Sequence, residues 1–172
     1  MAIKFLAAGA VVAGIILFLW GMVVHAALPI ESVKEFKDTQ AVVQCLRANA
    51  PENGVYLAGE GVLAAVSLRP DLADQSQDLT GRLITEFVLD VLEGLLLACL
   101  LLAVTRATVL GKVGLVAAAA LAACLGGVLP GWTWYGFSAP YVLVECLDLV
   151  GGWCLAGLAL AGLMMRLGPR DV

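Results

Sequence analysis

The chain has 172 residues, of which 62% are hydrophobic and 14% are charged, and its formal net charge is −4. Soluble domains are about 45–50% apolar and about 25% charged, so this composition is that of an integral membrane protein. The acidic balance provides no basic surface for nucleic acid, which excludes that class of partner.

Four hydrophobic stretches organise the chain. They predict an all-α membrane protein, a four-transmembrane-helix bundle with a small α+β extracytoplasmic insert between helices 1 and 2. The first transmembrane helix covers residues 1–28, the insert 29–82, and helices 2–4 residues 83–172, with spans at about 83–105, 113–129 and 141–165. The first apolar run is longer than the core of a signal peptide and is therefore interpreted as an uncleaved anchor.

The insert is predicted to combine one short helix with a hairpin. Asp38 or Thr39 is a candidate N-cap for the amphipathic segment AVVQCLRANA. The sequence PENG at 51–54 predicts a turn, after which residues 54–58 and 62–68 are typical of two strands joined through GEG. A segment of this size is expected to pack on the helix ends as a cap.

Basic residues predict the orientation. With four spans, the lysines and arginines that flank them fall on one side, which the positive-inside rule assigns to the cytoplasm together with both termini. These residues are Lys4, Arg106, Lys112, Arg166 and Arg170.

Three carboxylates share one face of the second hydrophobic stretch. At about 100° per residue, Glu86, Asp90 and Glu93 project within roughly 60° of one another on a helix. The fourth stretch carries Glu145 and Asp148. Such side chains are costly in a bilayer unless they face protein, water or a cation.

The predicted topology places both acidic sets in the outer half of the bundle, near His25 of the first span. These six residues form the candidate intramembrane polar site: His25, Glu86, Asp90, Glu93, Glu145 and Asp148. Three interpretations remain open: hydrogen bonding between helices or in a wet vestibule, contact with a basic or polar partner, and metal binding or proton relay. Carboxylates suit a divalent cation such as Ca²⁺ or Mg²⁺, although the spacing matches no metal motif.

The connector before the fourth span concentrates aromatic side chains at a membrane boundary. This candidate aromatic interface consists of Trp132, Trp134, Tyr135, Phe137 and Tyr141. One interpretation is an interfacial aromatic belt. The other is a platform that covers the acidic vestibule or contacts a lipid or quinone head group.

Small residues indicate close helix packing in two spans. Gly152, Ala156 and Ala159 continue the acidic face of the fourth span and form a candidate helix-packing face, interpreted as lying inside the bundle rather than between subunits. The third span, LVAAAALAACLGG, has a composition that also favours close packing over broad lipid contact.

The cysteine and histidine content limits the redox functions that the sequence supports. Four of the five cysteines lie in apolar stretches, where cysteine usually behaves as a small hydrophobe, and there is no CxxC. With one histidine in addition, the sequence carries no haem or disulfide-redox signature. The cysteines are Cys45, Cys99, Cys124, Cys146 and Cys154.

Three segments resemble a group of small bacterial inner-membrane proteins that have four spans, a WGFS-like aromatic outer loop and no characterised activity. The segments are LFLWGMVVHAALP, KEFKDTQAVVQCLRANAPENGVYL and GWTWYGFSAPYVLVECLDLVGGWCLAGL. The resemblance implies a multi-pass protein of the bacterial cytoplasmic membrane. It assigns no activity, cofactor or functional residue.

The functional expectation is a non-catalytic accessory or assembly subunit of a membrane complex. Its partners would be the lipid bilayer and other subunits or a second copy of the chain. The alternative is a small transporter or a cation- or proton-handling protein that uses the carboxylate cluster. A membrane enzyme or a quinone-linked redox protein is disfavoured, because no serine nucleophile with a nearby base is recognisable and a single histidine leaves few catalytic schemes.

Overall fold

The computed structural model describes residues 2–28, 34–68 and 79–168. The chain divides into two compact units, Met1–Ser32 with Gly81–Val172 and, separately, Val33–Thr80. In chain order the regular elements are α1 (Ala2–Met22), α2 (Thr39–Asn49), β1 (Gly54–Ala58), β2 (Val62–Val66), α3 (Leu79–Leu102), α4 (Val109–Ala123), α5 (Leu129–Tyr135) and α6 (Ala139–Leu167). Single π-helical turns, Val23–Ala27 and Cys124–Val128, extend α1 and join α4 to α5.

Three continuous helices are long and apolar enough to cross a membrane. They are Ala2–Ala27, Val109–Tyr135 and Ala139–Leu167. The helical, membrane-type class expected from the composition is therefore confirmed. Helix α3 has 24 residues but differs from these three because it carries Glu86, Asp90 and Glu93.

The smaller unit contains the predicted short helix and hairpin. Asp38 caps α2 by accepting a hydrogen bond from the Ala41 backbone N–H at 2.9 Å, which satisfies one of the unpaired donors of the first turn. Strands β1 and β2 pair antiparallel from Gly54 opposite Val66 to Ala58 opposite Val62. The hairpin turn has positive φ at Glu60 and Gly61.

Glycines bring α1 and α3 close together in the larger unit. A Cβ at Gly94 would lie 2.8 Å from the Ala10 carbonyl oxygen, and one at Gly14 would lie 2.8 Å from the Val91 Cα. Gly9 meets Ala98 farther along, so α1 and α3 run antiparallel. Small residues thus permit backbone contact that larger side chains would prevent.

Helix α6 packs antiparallel to both α1 and α4. Gly152 faces Leu17 of α1, and Gly9 of α1 lies against Leu160. On another side of α6, Gly157 lies against Val116 of α4. Gly152 and Ala156 are buried in these contacts, so the part of the predicted packing face that they form lies inside the bundle, while Ala159 is only half-buried.

Apolar side chains fill the end of the bundle where α1 begins and α6 ends. The largest fully buried members are Phe5, Leu101, Val116 and Leu160. On α3, the buried positions that follow Glu93 are small or aliphatic: Gly94, Leu97, Ala98 and Leu101.

A buried lysine closes the connection between α3 and α4 at the same end. Lys112 is 6% exposed, and its ammonium donates to the carbonyl oxygens of Thr105 and Ala107 at 2.9 and 2.7 Å. Lys112 is one of the residues that predict the orientation in the membrane. It also satisfies two carbonyl oxygens that accept no hydrogen bond within a helix.

The aromatic segment, which was expected to be a connector between spans, is helical for most of its length. Helix α5 continues to Tyr135, and the connection to α6 is reduced to Gly136–Ser138. Gly136 ends the helix with φ +67°, a left-handed conformation that glycine adopts without strain. Gly131 does not form a turn. It is helical, and its missing side chain makes room for the Phe137 ring.

Candidate functional site

The carboxylate of Asp148 meets the imidazole of His25 between α6 and the end of the first helix. The His25 Nε2 and Asp148 Oδ2 atoms are 3.1 Å apart, and the two side chains are 46% and 32% exposed. One turn before His25, a Cβ at Gly21 would lie 3.7 Å from Asp148 Oδ1, so the carboxylate lies directly against the helix. His25 belongs to a π-helical turn, which has more residues per turn than an α-helix. Its side chain therefore projects in a different direction from that in a continuous α-helix.

Asp90 is the most buried of the predicted acids. Its side chain is 9% exposed, and its carboxyl group interacts electrostatically with those of Glu86 and Asp148. Helix α3 thereby contributes two neighbouring acids and α6 contributes the third. When ionised, these groups repel one another, and burial of Asp90 strengthens the repulsion because less water screens it.

Glu93 is held by a tryptophan of another helix. The Trp153 indole N–H of α6 donates a hydrogen bond to Glu93 Oε1 of α3. An indole N–H is only a donor, so it satisfies a carboxylate or carboxyl oxygen without adding charge. This contact marks the boundary between the polar cluster and the apolar core.

Glu145 has a different neighbour from the other acids. It interacts electrostatically with the Tyr141 side chain one turn earlier on its own helix, whereas Asp90, Glu93 and Asp148 interact with one another. Glu86 is exposed but remains within the electrostatic range of Asp90 and Glu93. The structure therefore brings together five of the six predicted polar residues and directs Glu145 to the aromatic segment.

The cluster does not assemble a cage of metal ligands. Within residues 2–28, 34–68 and 79–168, no group of three or more His, Cys, Asp or Glu side chains is arranged to hold a metal ion. The groups that meet at the site are carboxylates and an imidazole, which exchange protons, and an indole N–H, which forms a hydrogen bond between helices.

The aromatic residues form an exposed surface at the junction of α5 and α6. Trp132 and Trp134 are 55% and 83% exposed on α5. Phe137 follows the helix and stacks edge-to-face with Tyr141, with the ring centroids 5.3 Å apart. An exposed group of this kind suits the boundary between lipid and water, where one side of each ring can remain wet.

Two tryptophans have structural roles that the sequence reasoning did not assign. The Trp20 ring lies on Gly151 and Gly152, and its indole N–H donates to the Leu147 carbonyl at 3.2 Å. Trp153 holds Glu93. The adjacent glycines at 151–152 were a usable signal for the first contact, but no local pattern links residues 93 and 153.

Comparison with protein-family models, with curated proteins and with solved structures finds no match to this chain.

Proposed function

We propose that the chain is a non-catalytic, four-span accessory or assembly subunit of a complex in a bacterial inner membrane. The main support is a helix face that the chain's own bundle does not use. Gly114, Ala118, Ala122 and Gly126 recur every four residues along α4 and the following π turn, and all four are exposed. Faces of small residues at this spacing allow another helix to approach closely in lipid.

The opposite face of the same helix supports this interpretation. Lys112, Val116, Ala120 and Cys124, which also recur every four residues, are buried in the bundle. The helix Val109–Tyr135 is nevertheless the least buried of the three membrane-type helices. In its apolar 18-residue stretch, 17% is buried, compared with 33% and 28% in the other two helices. Its remaining surface is available to lipid or to a partner helix.

Helix α3 is proposed as the fourth span. Its 24 residues correspond to about 36 Å at the α-helical rise, which exceeds the ~30 Å hydrocarbon core. It packs antiparallel to α1 through Gly14 and Gly94, so it extends over the same depth. The basic residues Lys4, Arg106, Lys112 and Arg166 then lie at one end, which we assign to the cytoplasm.

Proton or cation handling is the second candidate, and the buried carboxyl of Asp90 is the observation that favours it. A transport path would have to continue past Glu93. There the buried positions of α3 are Gly94, Leu97, Ala98 and Leu101, which offer no group that exchanges protons. Because the cluster ends against this packed apolar layer, we favour the subunit function over transport.

The test is to place a bulky side chain on the exposed α4 face. Affinity-tagged wild-type protein and the variants Ala118→Ile and Ala122→Ile would be purified from native membranes in mild detergent. We expect wild-type protein to purify with a stoichiometric partner or with a second copy of the chain. In both variants the affinity for this partner should fall about tenfold, which corresponds to about 1.4 kcal/mol of binding free energy. The matched control is Ala7→Ile, since Ala7 is an exposed alanine of α1.

Two outcomes would contradict the proposal. One is a wild-type protein that purifies alone and as a monomer. The other is equal partner recovery in Ala118→Ile, Ala122→Ile and Ala7→Ile. Proton uptake by vesicles that contain the lone protein, abolished by Asp90→Asn, would instead favour the second candidate.

A further inference from the structure

We infer that the hairpin formed by β1 and β2 lies flat on the bilayer surface and buries one apolar face in the lipid. This inference goes beyond the proposed subunit function and does not depend on it, since it requires only that the chain is anchored in a membrane.

One face of the hairpin consists of exposed apolar side chains. Val55 pairs with Ala65 and Leu57 with Leu63, and residues directly opposite each other in an antiparallel pair project from the same face. Val55 is 64% exposed, Leu57 80% and Leu63 37%, and Ala65 is exposed as well. These four side chains form an apolar patch that has no charged member.

The opposite face of the hairpin is the more buried one. Val66 is 7% exposed, and Tyr56 and Ala64, which pair with each other, are partly buried. An antiparallel sheet with one packed face usually directs polar side chains outward on the other. Here the outward face is apolar instead, and an exposed apolar surface of this kind indicates contact with lipid or with a protein.

The chain tethers the hairpin to a membrane-type helix over a short distance. Leu28 follows the helix Ala2–Ala27, and the chain from Leu28 to Lys34 spans at most about 22 Å, because an extended chain advances about 3.3–3.6 Å per residue. A tethered surface binds within one molecule, so a weak affinity for lipid is sufficient. The bilayer is therefore the apolar surface that is always within reach of the patch.

The charges near the patch favour attachment through apolar burial. Residues 52–68 contain no lysine or arginine, and their two acidic residues are Glu52 and Glu60. Anionic lipids attract basic segments, so they add nothing to the affinity of this hairpin. The patch supplies the favourable free energy instead, since the binding of an amphipathic surface element scales with the apolar area that it buries.

The turn and the strand edges determine how the hairpin lies. Glu60 is exposed in the turn between the strands, and its carboxylate opposes entry of the turn into the hydrocarbon. A two-stranded sheet also has outer edges whose N–H and C=O groups need hydrogen bonds that hydrocarbon does not provide. The hairpin therefore lies flat, with its edges among the head groups and the patch directed toward the acyl chains.

The test places a photo-cross-linking amino acid, benzoylphenylalanine, on each face of the hairpin in the full-length chain. One variant carries it in place of Leu57. The matched control carries it in place of Val62, which is 54% exposed on the opposite face. Both proteins are reconstituted in phosphatidylcholine vesicles, irradiated and analysed by intact mass and peptide mapping. We expect at least about fivefold more phospholipid adduct from the Leu57 variant, because only its face is buried in lipid.

A charge on the patch should weaken the attachment. With the cross-linker in place of Val55, Leu57→Asp should reduce the phospholipid adduct several-fold, because a carboxylate would have to leave water to enter the lipid. Val62→Asp is the matched control and should leave the adduct unchanged. Vesicles with added phosphatidylglycerol should give no higher yield than phosphatidylcholine alone.

Four results would overturn the inference. Cross-links from position 57 to the helices of the same chain would show that the insert packs on the bundle, and a cross-linked dimer would show that the patch joins two copies. Equal amounts of phospholipid adduct from positions 57 and 62 would show that neither face is buried in lipid. An adduct that forms only with phosphatidylglycerol would show attachment through charge.

Discussion

Trp153 and Glu93, sixty residues apart in sequence, join α6 to α3 through one hydrogen bond. The donor is neutral, and the acceptor lies where the polar cluster meets the apolar core. A carboxyl group at this position therefore requires no lysine or arginine as its partner. The bond also fixes the rotation of both helices, because each side chain projects from a defined face.

Removal of this donor should destabilise the bundle. Trp153→Phe keeps most of the ring but leaves Glu93 without the indole N–H, so we expect the free energy of unfolding in detergent to fall by about 1–3 kcal/mol. Thermal unfolding followed by size-exclusion chromatography measures this change. Glu93→Gln keeps an oxygen acceptor and should cost less, and a larger loss in Glu93→Gln than in Trp153→Phe would contradict this role.

The contact between α1 and α3 should tolerate no side chain at Gly94. Gly94→Ala would place a Cβ 2.8 Å from the Ala10 carbonyl oxygen, and we expect a loss of about 1–3 kcal/mol in the free energy of unfolding. Gly162→Ala is the control, because open space surrounds that Cβ position on α6. Equal thermal stability of the two variants would show that α1 and α3 are not in contact there.

The end of α5 should depend on the left-handed conformation of Gly136. Gly136→Ala forces an alanine to φ +67°, at a cost of about 1 kcal/mol, whereas Gly136→Asn should cost less because asparagine tolerates this region. Intrinsic tryptophan fluorescence during unfolding would report the change, since Trp132 and Trp134 lie in the same helix. If alanine and asparagine variants unfold alike, the helix does not end in this way.

The contact between His25 and Asp148 should contribute little to stability. Both side chains are partly exposed, so a double-mutant cycle with His25→Ala and Asp148→Asn should give a coupling energy of about 0.2–1 kcal/mol. The coupling should also weaken in high salt, because exposed charges are screened. A coupling above about 3 kcal/mol would mean that the pair is far less exposed in the membrane.

The features that the sequence predicted well have short-range causes. Asp38 caps α2 through a residue three positions away, and the hairpin follows from its turn residues. The sequence predicted that the acids lie together, but not which residue each acid contacts. No local pattern shows which helices face each other.

The helical course of the aromatic segment has a specific cause. Proline and glycine usually interrupt helices, and this segment contains Pro130 and Gly131. In the structure Pro130 lies in the first turn of α5. At that position the missing backbone N–H of proline is tolerated, because N–H groups of a first helical turn have no partner within their helix. The π turn before it lets the helix continue to Tyr135.

The composition of α3 has a consequence for biogenesis. A helix that enters the bilayer alone would expose Glu86, Asp90 and Glu93 to lipid, and each acid near the membrane centre adds about 2.5–3.5 kcal/mol to the insertion free energy. Helix α1 is synthesised before α3, and α3 packs against α1 at Gly14. As the fourth span proposed above, α3 should therefore leave the translocon together with α1 and reach its final depth only after α6 supplies Trp153 and Asp148.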